Sequence, residues 1–119
     1  MPALNDALKD RLSRYSEIKI TVTGRKSGHA ISIPIWFVFE EGRLYLLPVQ
    51  GSETQSYKNA LKNPMMRIDA RGAGAEVQAV PIMDANRVSA VIEKFRGKYG
   101  TGDVEKYYSK FDVAVLIEI

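Results

Sequence analysis

Two stretches in which apolar and polar residues alternate constrain the fold more than any other feature of the sequence. Residues 18–22 read IKITV and residues 30–39 read AISIPIWFVF, and each stretch has a regular apolar face. Alternation with a period of two residues is typical of a β-strand that buries one face. Residues 24–28 read GRKSG, so glycine brackets a basic turn between the stretches. The sequence therefore predicts two antiparallel strands joined by this turn.

The remaining segments predict three main helices and four further strands. The apolar residues from Leu4 to Tyr15 recur at helical spacing, and Asp84 is placed to cap a long helix. The helices are expected at 4–15, about 52–62 and 84–99, and the further strands at 43–49, 65–70, 75–82 and 113–119. Pro34 has no N–H and is expected at a sheet edge or where the ladder opens. We expect a mainly β protein with helices, one domain over residues 1–119, folded as a six-stranded antiparallel split β-barrel.

The composition narrows the classes of chemistry. The sequence has no cysteine, which excludes disulfides, thiolate metal ligands and a cysteine nucleophile. His29 is the one histidine and has no evident Ser or Asp partner, so neither a catalytic triad nor a metal site is predicted. The N-terminal stretch lacks the apolar centre of a signal peptide, and the longest apolar run is too short for a membrane span. We expect a soluble cytoplasmic protein, and the net charge of +3 indicates only some anionic partner. No nucleic acid is expected, because nucleic-acid binders usually have a stronger and clustered positive charge.

The basic turn is the most informative candidate site. Arg25, Lys26 and Ser27 lie side by side, and there is no Asp or Glu from residue 18 to residue 39. Gly24 and Gly28 permit backbone angles that let successive N–H groups converge on one anion. Arginine can form two parallel hydrogen bonds with a phosphate, while the lysine and serine add a charge and a donor. The alternative interpretation is a hairpin tip in solvent, where these residue types are common.

Three further sets of residues are candidates for a site. The start of the second helix favours an anion through its dipole and its free N–H groups, although Ser52 or Thr54 is also needed there as a cap. The residues of this set are Ser52, Gln55, Ser56 and Lys58. Trp36 is the one tryptophan, and it either stacks on a flat ring or is an ordinary core aromatic. Three tyrosines near the end of the sequence are either buried or line a pocket as proton donors, namely Tyr99, Tyr107 and Tyr108.

The run TVTGRKSGHAISIPIWFVFEEGRLYLL, followed by a helix that ends in NALKNP, resembles the split β-barrel flavin and deazaflavin oxidoreductases. These are relatives of pyridoxamine 5'-phosphate oxidase. Within that group the TxTGRKSG pattern is most similar to the deazaflavin-dependent nitroreductase branch, which uses coenzyme F420. The resemblance covers residues 18–64. The segment VQGSETQSYKN is shorter than in that branch and has Gln50 about where the branch has lysine, so FMN stays an alternative cofactor.

The resemblance implies a role for each matching residue. The phosphate-bearing tail of the cofactor would be held by Arg25, Lys26, Ser27 and Gly28. Its ring system would be lined by Ile33, Pro34 and Trp36, and Val49 and Gln50 would lie near the reactive edge of the ring. The substrate would be bordered by Tyr99, Tyr107 or Tyr108. In FMN-binding relatives a serine or lysine at the start of the helix also grips the phosphate, which implies a role for the set around Ser56 and Lys58.

The implied activity is hydride transfer between the bound cofactor, with coenzyme F420 favoured, and a small conjugated organic substrate. The cofactor would supply the chemistry, and the protein would supply binding and orientation. An FMN-binding protein, or an FMN-dependent oxidase or reductase of the same barrel, is the first alternative. A non-catalytic cofactor carrier and a small nucleic-acid-binding barrel are further alternatives. Related barrels pair two subunits with the cofactor between them, so a homodimer is expected.

Overall fold

The computed structural model describes the backbone of residues 2–119 and the side chains of residues 7–119. The helices are α1 (Pro2–Arg14), α2 (Gln55–Lys62), α3 (Ala85–Tyr99) and α4 (Thr101–Tyr107), and a 3₁₀ turn covers Gly51–Glu53. The strands are β1 (Glu17–Thr23), β2 (Ala30–Trp36), β3 (Val38–Glu40), β4 (Arg43–Leu46), β5 (Met65–Ala70), β6 (Ala73–Gln78), β7 (Val80–Ile82) and β8 (Ala114–Glu118). The three predicted helices are confirmed, although the side chain of Leu4 lies outside the described ones. None of the helices within residues 2–119 is long and apolar enough to cross a membrane.

The strands form two antiparallel sheets of four strands each. The order of the first sheet is β2-β1-β5-β6 and that of the second is β3-β4-β8-β7. This confirms a mainly β protein with helices. It also corrects the predicted six-stranded barrel, because eight strands are present and each sheet keeps two edge strands within the described chain. The prediction of one domain over residues 1–119 stays a prediction.

The strand count differs because two predicted strands each cross from one sheet to the other. The strand predicted to continue to Phe39 is interrupted at Phe37, where β2 ends in the first sheet and β3 begins in the second. The strand predicted over 75–82 is interrupted at Ala79 in the same way, between β6 and β7. Phe37 and Ala79 are both buried. The apolar pattern continues without a break through Phe37 and through Ala79. Alternation alone therefore predicts one strand at each place where the fold has two.

The core consists of two clusters of buried side chains. The first contains side chains from both sheets and from α1 and α2, and the second is formed by α3, α4 and the outward face of the second sheet. Strand β8 joins the clusters, because Val115 and Ile117 lie in the first while Ala114 and Leu116 lie in the second. Both faces of β8 are therefore buried, which explains its uninterrupted apolar sequence.

Several local signals in the sequence are confirmed. Glu41 and Gly42 both have positive φ, 51° and 76°, and form the predicted two-residue hairpin turn between β3 and β4. The side chain of Asp84 accepts a hydrogen bond of 3.0 Å from the first turn of α3 and caps that helix. Pro34 lies in β2, which is an edge strand, as its missing N–H predicts. These features fix the ends of the elements that surround the candidate sites.

Candidate functional site

The β1–β2 turn and α2 enclose a cleft of about 340 Å³, which we call the arginine cleft. It is lined by Gly24, Arg25, Lys26, Ser27, Ile31, Gln55 and Asn59. Four of these residues were predicted as cofactor ligands from the sequence. The structure thus brings the basic turn and Gln55 together, although they are far apart in the chain. Asn59 was not predicted as a site residue. Its position four residues after Gln55, on the same face of α2, could have indicated it.

Arg25 is held by amide groups. Its backbone N donates to Asn59 Oδ1 at 3.1 Å, and its Nη1 donates to the same oxygen at 2.7 Å. Its Nη2 donates to Gln55 Oε1 at 2.8 Å. In the part of the chain that the structure describes, no carboxylate forms an ion pair with Arg25 or Lys26. The guanidinium is therefore oriented without being neutralised, and it retains donors for a ligand.

The turn itself is compact. Gly24 N donates to His29 O at 2.8 Å, and Gly28 N donates to Gly24 O at 2.9 Å. A Cβ on Gly24 would lie 2.6 Å from Ser27 Oγ, while Gly28 has a φ of 74° that favours glycine. Ser27 Oγ also accepts a hydrogen bond from His29 N at 3.1 Å, which leaves its hydroxyl hydrogen able to donate. The two glycines are therefore required by the fold of the turn, and Gly28 does not line the cleft.

The cleft is suited to bind an oxyanion. Arg25 and Lys26 line the cleft with their positive charges, together with Ser27, and the lining contains no acidic residue. Charge-assisted hydrogen bonds to such groups contribute about 1.5–3 kcal/mol each. Ile31 adds an apolar wall. A phosphate or carboxylate with some hydrocarbon attached matches this combination.

The three residues expected to line the cofactor ring do not form one surface. Ile33 pairs with Ile20 on the face of β2 that turns toward the core. Pro34 and Trp36 lie on the opposite face, because side chains alternate along a strand. Ile33 shares its face with Ile31 of the arginine cleft. Of the three, Ile33 alone is placed on the side of that cleft.

The residues after β4 are tied to the segment before β8. Ser109 N donates to Val49 O at 2.8 Å, and both the N–H and the hydroxyl of Ser52 donate to the carboxylate of Asp112. Ser52 therefore does not cap α2, whose N-cap position is Thr54. None of these contacts belongs to the arginine cleft.

Gln50, predicted near the reactive edge of the ring, also lies outside the arginine cleft, as do the other residues predicted around the start of α2 except Gln55. The backbone N of Gln50 donates to Thr54 Oγ1 at 2.8 Å. Ser56 borders a small internal void near Tyr57. Lys58 Nζ lies 3.6 Å from Glu53 Oε2, in an ion pair at the surface. The predicted anion site at the start of α2 is thus reduced to Gln55.

Trp36 and the three tyrosines meet in an aromatic cluster against α3 and α4. The rings of Trp36 and Tyr99 stack with centroids 4.3 Å apart and an interplanar angle of 6°. The ring of Tyr107 lies 4.5 Å from that of Trp36, and Tyr108 packs edge-on against Phe95. Trp36 is partly buried against the second cluster and still lines a cleft with the rest of its ring. Its packing favours the core-aromatic interpretation of the two that the sequence left open.

The three tyrosine hydroxyls have different surroundings. That of Tyr99 accepts from Phe37 N at 3.0 Å and lies 2.8 Å from Phe37 O and 2.6 Å from Ser16 O, and burial raises the pKa of Tyr99 to about 12. Burial also raises the pKa of Tyr108, whose hydroxyl has no partner among the described residues. Tyr107 is exposed. A raised pKa makes a tyrosine a weaker acid at neutral pH.

Lys98 is a further notable residue that the sequence did not single out. Its Nζ donates to Phe37 O at 2.8 Å and lies 3.7 Å from the centroid of the Phe37 ring. Burial of this amine lowers the pKa of Lys98 to about 8. Nothing in the sequence distinguishes it from Lys94, the other lysine on α3, because its surroundings depend on the interruption between β2 and β3.

Two antiparallel sheets, with a helix packed beside the basic turn and a cleft between turn and helix, resemble the fold of split-barrel proteins. Residues 9–114 match the family described as "Uncharacterized protein conserved in bacteria (DUF2255)", so the chain belongs to the DUF2255 family. No curated protein matches the sequence.

Solved structures of low sequence identity share the fold. An F420-H2 dependent reductase (FDR-A) is 18% identical, with a TM-score of 0.66 over 87% of this chain and 94% of that one. A Listeria innocua protein assigned to the pyridoxamine 5'-phosphate oxidases is 13% identical, with a TM-score of 0.69 over 98% and 92%. A structure described as a domain-swapped dimer is 15% identical, with a TM-score of 0.67 over 96% and 98%. At these identities the comparison shows the fold.

Proposed function

We propose that this chain is an oxidoreductase that transfers a hydride between a bound flavin-type cofactor and a small conjugated organic substrate. Coenzyme F420 is the favoured cofactor and FMN the alternative. The observation that carries the proposal is the unneutralised Arg25, oriented by Gln55 and Asn59 in a cleft without acidic residues. A reductase dependent on reduced F420 has the same fold, which supports this choice.

The residues of the arginine cleft fit the phosphate end of such a cofactor. Arg25, Lys26 and Ser27 would hold the phosphate, and Ile31 and Ile33 would offer apolar surface beside it. The cofactor, when bound, supplies the hydride chemistry, and these residues supply binding and orientation. Pro34 and Trp36 are left out of the binding set because they lie on the other face of β2.

Of the three tyrosines, Tyr107 has the hydroxyl best suited to donate a proton, but its ring lies 4.5 Å from that of Trp36, on the face of β2 away from the arginine cleft. The side chain of Tyr107 is exposed, whereas Tyr99 bonds to backbone groups of Phe37 and Tyr108 is buried. The raised pKa values of Tyr99 and Tyr108 oppose proton donation near neutral pH.

A non-catalytic cofactor carrier is the second candidate function. Two of the three tyrosines proposed as acids are unsuited to that role, and the lining of the arginine cleft contains no carboxyl or imidazole group. A carrier needs only groups that can bind an anion, and the lining of the arginine cleft includes Arg25, Lys26 and Ser27. Turnover therefore has to be measured separately from binding.

We also propose that the protein is a cytoplasmic homodimer. A structure of the same fold is described as a domain-swapped dimer. Strand β2 is an edge strand, and its Ile31 is 40% exposed. Unpaired strand edges and exposed apolar side chains are the features that association covers. Sedimentation of the purified chain tests the dimer, and a monomer at all concentrations contradicts it.

The proposed function is tested by titrating the protein with F420 and with FMN while cofactor fluorescence is recorded. Arg25→Gln should weaken binding about tenfold or more, because it removes charge-assisted hydrogen bonds. Arg43→Gln, on an exposed position of β4 outside the cleft, is the matched control and should leave binding unchanged. Binding of neither cofactor, or equal binding by Arg25→Gln, contradicts the proposal.

Turnover and nucleic-acid binding are distinguished in two further measurements. Oxidation of the reduced cofactor by conjugated acceptors supports the enzyme, whereas tight binding without turnover supports the carrier. An oligonucleotide that binds with steep salt dependence in place of either cofactor supports the nucleic-acid alternative.

A further inference from the structure

A second cleft lies at the other end of the β1–β2 hairpin. We call it the distal cleft; it has a volume of about 530 Å³. The end of α1, the start of β1, the end of β2, the β5–β6 turn and the end of α3 form its walls. It is about 20 Å from the arginine cleft, because the seven-residue strand β1 separates them. Its volume lies within the range of small-molecule sites.

Three cations from three different elements line the distal cleft. They are Arg14 at the end of α1, Arg71 in the β5–β6 turn and Lys98 on α3. Glu17 is the one acidic residue in the lining. The local excess of positive charge draws anions to this concave surface.

Two of these cations have neutral partners. The Arg71 guanidinium lies over the ring of Tyr15, with its Cζ 4.4 Å from the ring centroid. Lys98 Nζ donates to the carbonyl of Phe37 at 2.8 Å. Among the described residues, no ion pair includes either of them. As with Arg25 in the arginine cleft, a ring or a carbonyl orients the cation without cancelling its charge.

Arg14, the third cation, can exchange its present ion pair for a ligand. Arg14 Nε lies 3.2 Å from Asp10 Oδ1, and the two side chains are 67% and 53% exposed. An ion pair this exposed contributes little, about 0–1 kcal/mol, so a ligand can replace it at small cost. Tyr15, Trp36 and Tyr99 add aromatic surface to the lining.

We propose that the distal cleft binds a small organic acid, whose carboxylate or phosphate contacts Arg71 and Lys98 and whose hydrocarbon part packs on the aromatic lining. This proposal does not depend on a cofactor in the arginine cleft. Arg14 would leave its exposed ion pair with Asp10 and contact the bound oxyanion as well.

The one tryptophan of the chain reports on the distal cleft directly, since Trp36 lines it. The experiment records Trp36 emission while benzoate, phenyl phosphate, inorganic phosphate or neutral benzyl alcohol is added. Benzoate or phenyl phosphate should change the emission saturably and benzyl alcohol should not. The better of the two acids identifies the oxyanion, and inorganic phosphate should bind more weakly because it lacks hydrocarbon.

Variants distinguish binding in the distal cleft from binding in the arginine cleft and from an effect of net charge. Arg71→Gln and Lys98→Gln should each weaken binding of the better acid about tenfold. Arg87→Gln, which removes a charge from α3 outside both clefts, and Arg25→Gln in the arginine cleft should leave it unchanged. If Arg71→Gln fails to fold, Arg14→Gln provides the same test at an exposed side chain.

Three outcomes overturn the proposal. The first is that neither acid alters Trp36 emission at concentrations up to tens of millimolar. The second is that Arg87→Gln weakens binding as much as Arg71→Gln, which would assign the effect to net charge. The third is that benzyl alcohol binds as well as benzoate, which would show that the cations play no part.

Discussion

Single residues in this protein set the charge that a ligand meets. Asn59 is buried, with 4% of its surface exposed, and its Oδ1 accepts two hydrogen bonds from Arg25. A carboxylate would make the same hydrogen bonds but would also cancel the charge. The choice of an amide at this position therefore favours an anionic ligand over an internal ion pair.

Two substitutions of Asn59 should have different effects. Asn59→Leu removes the acceptor and should lower the free energy of unfolding by about 1–3 kcal/mol, because two half-buried donors of Arg25 lose their partner. Asn59→Asp should largely retain stability but weaken anion binding about tenfold, because Arg25 is neutralised. Urea unfolding and cofactor titration measure the two effects. Full anion affinity in Asn59→Asp would contradict this role.

Lys98 should be more reactive than its neighbour Lys94 on the same helix. Burial lowers the pKa of Lys98 to about 8, whereas the hydrogen bond that Lys94 donates to Glu40 raises the pKa of Lys94 above its ordinary value. The neutral amine is the nucleophile, so at pH 8 an amine-reactive ester should label Lys98 first. Mass spectrometry after brief labelling between pH 6 and pH 10 measures this. Equal labelling of the two lysines at pH 8 would contradict it.

At the scale of elements, the interruption between β2 and β3 is held by side chains from α3. The Tyr99 hydroxyl and Lys98 Nζ both bond to the backbone of Phe37, the residue at which the chain changes sheet. These bonds replace the ladder partners that a continuous strand would have. The end of α3 is thus required for the two sheets to meet at this point.

Tyr99→Phe should therefore destabilise the fold without affecting the arginine cleft. The free energy of unfolding should fall by about 1–3 kcal/mol, because Phe37 N loses its acceptor in a buried position. Tyr107→Phe removes an exposed hydroxyl and is the matched control. Denaturant titration measures both variants, and unchanged stability of Tyr99→Phe would show that water replaces the hydroxyl.

The sequence predicts some features of the strands and of the arginine cleft but not others, depending on whether the feature is local in the chain. Alternation in residues 18–39 predicts the hairpin, and glycine with basic residues predicts the turn at Arg25, because these are local properties. The change of sheet at Phe37 is not local, since it depends on which neighbours pack on each side. The separation of Ile33 from Trp36, in contrast, followed from strand alternation and was available from the sequence. The contact between Arg25 and Asn59 required the position of α2.

At the scale of the whole molecule, β8 links the two core clusters. It lies between β4 and β7 in the second sheet, and alternate side chains enter different clusters. The clusters should therefore unfold together. A change in one should be detected by a probe in the other.

Ile117→Ala tests this coupling. Ile117 is fully buried in the first cluster, so the substitution should cost about 2–5 kcal/mol. Trp36 packs against the second cluster, and its emission should change at the same lowered urea concentration as the far-ultraviolet circular dichroism. Ile31→Ala, at a 40% exposed position, is the control and should cost much less. Separate transitions by the two probes would show independent clusters.

The β1–β2 ladder of seven paired residues runs from the basic turn to Trp36 and so spans both clefts. If an occupant at one end changes the twist of this ladder, the change can reach the other end, because both clefts share the ladder. If binding of one ligand changes the affinity of the protein for the other ligand by some factor, binding of the other must change the affinity for the first by the same factor. A small acid would then act as an effector of cofactor loading, and the cofactor as an effector of acid uptake.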